Sequence, residues 1–125
     1  MTIQVRISHV GTEGDIDVEG GDGVLAAVLR PGESTTQPVW GEHRLALSLT
    51  GDRTSDLTIH HLGEHGRLRL VMMSAAGLAT GAAPIPVHHE GATIGPGDVT
   101  TYALWPKWTF LVSEVGAEKK LEAVP

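Results

Sequence analysis

The chain has no cysteine, one phenylalanine and one tyrosine, and nine Lys and Arg against fifteen Asp and Glu. Without cysteine there is no disulfide scaffold, no thiolate zinc site and no thiol nucleophile. The net charge of −6, with Lys119-Lys120 as the one adjacent basic pair, repels a phosphate backbone. No basic patch interleaved with aromatics is present, and nucleic-acid binding is not expected. No apolar run approaches the roughly 18 to 20 residues that a membrane span needs, and the softest stretch, Leu70 to Ala83, is broken by Gly77 and Gly81. The start, Met1-Thr2-Ile3-Gln4-Val5-Arg6, alternates in strand fashion and lacks a basic segment followed by an apolar one. No secretory signal is expected, and synthesis in a cytoplasm follows. Catalytic signatures are also missing: there is no Gly-x-Ser-x-Gly, no Ser-x-x-Lys, no Walker loop and no Gly-x-Gly-x-x-Gly opening a helix. Asp15, Asp17 and Glu19 alternate along one strand as a solvated face does. The expectation is a non-enzymatic protein with no catalytic residue and no cofactor.

What the chain does have is glycine, at 16 residues, proline at 7, and an apolar set rich in Val, Leu and Ile. That mixture suits short strands joined by many turns. Ile3, Val5 and Ile7 alternate with polar residues, as do Ile16 and Val18, and Leu45, Leu47 and Leu49. Turns fall at Gly11 to Gly14, at Gly20 to Gly23, at Gly41-Glu42-His43, and at Pro31-Gly32, where Pro presets φ and Gly supplies the positive φ of a type II turn.

The chain also nearly repeats itself. Pro31 to Gly51 aligns without a gap on Pro96 to Gly116, with seven identities in 21 positions, among them Thr35/Thr100, Thr36/Thr101 and Trp40/Trp105. The reading is one all-β domain over 1–125, built from two tandem copies of about 60 residues, a size at which a single β core is marginal, so that the two share one. The copies are placed at 1–51 and 66–116, with a linker at 52–65 and a tail at 117–125. Leu68, Leu70 and Met72 are matched to Ile3, Val5 and Ile7, and Ile85-Pro86-Val87 to Ile16-Asp17-Val18. Leu57-Thr58-Ile59 is an extra strand between the copies. The expected architecture is a two-sheet β-sandwich sharing one core, with a partly open barrel as the neighbouring solution.

The candidate sites are few. The Pro-Gly-acid-x-Thr-Thr segments read as turns leading into strands, and Trp40 and Trp105 as core residues sealing the end of the sandwich. Trp108 falls in a turn and is a candidate contact anchor, as are Val71 and Leu111, apolar residues at outward positions. Seven histidines raise a metal alternative whose ligands would be His61, His65, His88 and Glu90. Adjacent histidines on a strand point to opposite faces, so surface histidines are the favoured account. A glycan-binding module using Trp108 is a further alternative.

Leu29-Arg30-Pro31-Gly32-Glu33-Ser34, then Val39-Trp40, then the alternating Leu45-Ala46-Leu47-Ser48, together resemble small all-β virion proteins of tailed bacteriophages. Ile94-Gly95-Pro96-Gly97-Asp98 and Leu104-Trp105 give the second instance. The resemblance implies a structural protein of the virion, a capsid decoration or tail accessory protein. Its partner would be the major capsid protein or another virion protein, and it would act as one of many symmetric copies, with a homotrimer as the expected assembly. The competing class is a cupin-like or sandwich protein that binds a metal or ligand through the histidines.

Overall fold

In a computed structural model the chain is an all-β sandwich, described over residues 2–74 and 86–115, with 73, 74 and 86–92 described by strand placement alone. The described residues form ten strands: β1 (Thr2–His9), β2 (Asp15–Glu19), β3 (Leu25–Leu29), β4 (Ser34–Trp40), β5 (Leu45–Thr50), β6 (Ser55–His61), β7 (Leu68–Ser74), β8 (Pro86–Ile94), β9 (Val99–Leu104) and β10 (Trp108–Glu114). They form a four-stranded sheet in the order β4-β1-β6-β9 and a six-stranded sheet in the order β3-β2-β5-β10-β7-β8.

The alternation explains the layering. Ile3, Val5 and Ile7 on β1, Leu57 and Ile59 on β6, Ile16 and Val18 on β2, Leu45 and Leu47 on β5, and Phe110 and Val112 on β10 are all fully buried, while the residues between them are half-buried or exposed. One face of each sheet is therefore dry, and the two dry faces pack on each other. The buried residues form one cluster drawn from both sheets and both halves of the chain, with Tyr102 and Trp108 packed against it. The Tyr102 ring lies against Phe110 across the sheets, centroids 5.0 Å apart.

Both strand orders read the same from either end when β1 to β5 are matched to β6 to β10. The fold thus carries an internal pseudo-two-fold, whose axis passes between β1 and β6 and between β5 and β10. Ile7 pairs with Ile59 and Ala46 with Leu111, each residue facing its own counterpart. The equivalence differs from the expected one at the start of the second unit. Residues 52–65 are not simply a linker, because Ser55–His61 forms β6, a central strand of the four-stranded sheet and the counterpart of β1. Leu68 and Leu70 on β7 therefore correspond to Ile16 and Val18 on β2, not to β1. Pro86 and Val87 lie on β8, the counterpart of β3, not of β2. Even the irregularities repeat, with register shifts after Val18 where β2 meets β3 and after Leu70 where β7 meets β8.

Candidate functional site

The two units share a polar module that holds the ends of β1 and β6. His9 continues the inward parity of Ile3, Val5 and Ile7, and His61 that of Leu57 and Ile59, so both rings enter the interior at 1% and 0% exposure. Each ring is fully engaged by the turn that follows it. The Gly11 N–H donates to His9 Nδ1 at 3.2 Å, and the Gly63 N–H to His61 Nδ1 at 3.0 Å. With Nδ1 accepting, Nε2 carries the proton and donates to the carbonyl of Gly14 at 2.9 Å and of Gly66 at 3.1 Å. Gly14 and Gly66 turn at φ 69° and 83°, a region that costs other residues about 1–2 kcal/mol. His9-x-Gly-x-x-Gly14 and His61-x-Gly-x-x-Gly66 are thus one motif in two places.

The Pro-Gly turns dock onto these modules. Gly32 and Gly97, at φ 89° and 80°, sit in tight turns closed by the Glu33 N–H on the Arg30 carbonyl and the Asp98 N–H on the Gly95 carbonyl. Gly32 N–H donates to the His9 carbonyl at 2.8 Å, and Gly97 N–H to the His61 carbonyl at 3.0 Å. The acid after each Gly turns its carboxylate back on its own turn: Glu33 accepts from the Arg30 N–H and Asp98 from the Gly95 N–H, both at 2.8 Å. The acid of Pro-Gly-acid-x-Thr-Thr is therefore a turn clamp. A charge-assisted bond of this kind contributes about 1 kcal/mol at an exposed site.

The aromatic residues are placed differently from expectation. Val39 points inward on β4, so its neighbour Trp40 points outward; Leu104 is buried on β9, and Trp105 follows it outward. Trp40 and Trp105 are 43% and 53% exposed and do not seal the core. Each opens the corner at which the chain crosses from one sheet to the other, and each corner is closed by a backbone bond, from His43 N–H to the Trp40 carbonyl and from Trp108 N–H to the Trp105 carbonyl. The Trp40 ring stacks flat on His43, centroids 3.9 Å apart and planes 2° from parallel.

Of the other candidates, Trp108 is half-buried against the core. Leu111 is half-buried, and Val71, though at an outward position, is 8% exposed and offers little free surface. His61 has no free ring nitrogen for a metal, and His65 is exposed. His88 and Glu90 lie on β8 with side chains outside the described residues. Among the described residues no group of three histidines or carboxylates converges on a point. The histidines do not all lie at the surface: His9 and His61 are structural, and strand parity was the signal for both. Sequence reasoning also missed the apolar edge at Val24, Leu25 and Val28, exposed at 62%, 51% and 45%.

No protein-family model matches this chain, and no curated protein and no solved structure matches it either.

Proposed function

We propose that the chain is a non-enzymatic structural protein of a bacteriophage virion, a capsid decoration protein that binds the major capsid protein through repeated protein–protein contacts. The observation that carries this reading is the duplicated corner. One exposed tryptophan stands at the corresponding position of each unit, so a single chain offers two aromatic anchors related by a pseudo-two-fold. Aromatic side chains of this kind dominate interface energetics, and two linked weak contacts bind far more tightly than one. The polar groups that a catalytic reading would recruit are occupied in holding turns: both interior histidines and both Pro-Gly-acid carboxylates bond the backbone. The likeness to small virion proteins supports the same reading, and assembly of the chain into a trimer belongs with it.

The test is co-sedimentation with tailed-phage capsids stripped of their own decoration protein. Saturable binding is expected, weakened about tenfold by Trp40→Ala or Trp105→Ala alone and abolished by the double variant. Absence from the pelleted particles, or binding indifferent to both tryptophans, would overturn the reading. The exposure of Trp40 and Trp105 favours one second reading, a glycan-binding module that stacks sugars on these two residues rather than on Trp108. Quenching of tryptophan fluorescence by one member of a glycan panel would select it.

A further inference from the structure

The two sheets end in four edge strands, β4, β9, β3 and β8. An open edge presents unpaired N–H and C=O groups, and proteins usually guard it with charge or proline. β4 carries Pro38, and β8 begins with Pro86. β9 reads Val-Thr-Thr-Tyr-Ala-Leu, whose hydroxyls keep much of its exposed side polar. β3 reads Leu-Ala-Ala-Val-Leu, with no charge, no proline and no hydroxyl, and it is largely exposed. Val28 and Leu25 stand on its outer face, opposite Asp17 and Glu19, and Val24, just before the strand, is exposed as well. Among the described residues this is the unguarded edge.

Its neighbour supplies the sign of the partner. β2 turns Asp15, Asp17 and Glu19 to the outside, and in the register of the pair Asp17 lies opposite Val28 and Glu19 opposite Leu25. The apolar edge is thus backed, one strand in, by a row of carboxylates that no residue of β3 answers with a positive charge. We propose that β3 accepts an extended segment of another protein as an eleventh strand, and that this segment alternates apolar with basic residues. Its backbone would pair with the free edge of β3, its Lys or Arg side chains would lie on the outer face with their stems over Leu25 and Val28 and their charges toward Asp17 and Glu19, and its apolar residues, on the opposite face, would extend the dry face beside Ala27 and Leu29. A second copy of this chain fits less well, because pairing β3 with β3 would bring two acidic rows toward each other in a molecule that already carries a net charge of −6. The proposal rests on this edge and not on the decoration reading, which turns on the tryptophan corners.

The probe is a fluorescein-labelled heptapeptide of alternating Lys and Val, capped at both ends, titrated with the full chain at low ionic strength and read by anisotropy. Saturable binding is expected, while the matching Glu/Val peptide stays free. Binding of the Lys/Val peptide should weaken about tenfold with Val28→Lys, which puts like charge on the edge, and severalfold with Asp17→Asn combined with Glu19→Gln. Val28 is exposed, so Val28→Lys should keep the melting temperature, which thermal unfolding checks. A Lys/Val peptide N-methylated at alternate amides tests the backbone pairing without altering the protein, and it should not bind. Equal binding of the methylated and unmethylated peptides, or no binding of either, would overturn the proposal. So would self-association of the chain, seen by sedimentation velocity and lost in Val28→Lys, which would assign the edge to a second copy.

Discussion

The segments 9–14 and 61–66 share one histidine and two glycines, and all the ring hydrogen bonds made by one are made by the other within 0.2 Å. The corners at 40–43 and 105–108 share only their first tryptophan, and they bend in opposite senses. In the first unit Gly41 takes the positive φ, 46°, at the leading turn position; in the second Pro106 leads and Lys107 takes it, 66°, at the next. These are the signatures of a type II′ and a type II turn. The Gly41 N–H is held by the Glu114 carboxylate at 2.7 Å, whereas Pro106 has no N–H to hold. The contrast separates two kinds of constraint. Where a buried ring bonds both an N–H and a carbonyl of the turn beside it, one residue type serves and both units keep it. Where a corner need only reverse the chain at the surface, two solutions work and the units have parted.

The largest test of that contrast is the histidine pair. His9→Ala and His61→Ala each leave a backbone N–H and a carbonyl without their ring partner and open a void, and each is expected to cost about 3 kcal/mol. Thermal unfolding should show a loss of about 10 °C in both. An unchanged melting temperature in one of them would break the equivalence of the units. The glycines inside the modules sharpen it. A methyl on Gly11 would run into the Ser55 side chain and lie 2.8 Å from the Asp56 nitrogen, while on Gly63 it would meet the His61 Cε1 at 3.0 Å and Ile3 at 3.5 Å. Backbone gives way less readily than a ring edge, so Gly11→Ala should lose about 2 kcal/mol and Gly63→Ala about 1 kcal/mol, read from denaturant midpoints. The smallest expected effect is a gain. Lys107→Gly removes the positive-φ strain of the second corner and should stabilise by about 0.5 kcal/mol, whereas Gly41→Ala should destabilise the first corner by a similar amount.

Much of the sandwich was legible in the alternating apolar residues, because each sheet has one dry face and its strands report it directly. The phase of the repeat was not. From His9 and His61 the units stand 52 residues apart, yet from Trp40 and Trp105 they stand 65 apart. The longer stretch around β8 lies between the two landmarks. The identities cluster after it, so extending their spacing backwards put β7 where β6 belongs. Trp40 and Trp105 were read by residue type, as rings that belong in a core; the parity of Val39 and Leu104, their buried neighbours, was the stronger signal and pointed them outward. Residue type likewise suggests a surface side chain or a metal ligand at His61, although it stands in step with Leu57 and Ile59. The strand order itself depends on crossings between sheets that no local pattern encodes.

The axis of the pseudo-two-fold passes a position where Ala46 faces Leu111. In a dimer of identical chains the residue on such an axis must fit against itself, and only pairs like Ile7 with Ile59 meet that condition. A small residue opposite a large one is open only to a chain whose halves are joined, since neither half must any longer be its own complement. The covalent link between the units has thus made them obligate, unlike partners: a chain carrying the first unit twice would set alanine beside alanine, one carrying the second twice leucine beside leucine, and neither would reproduce the seam that this molecule closes.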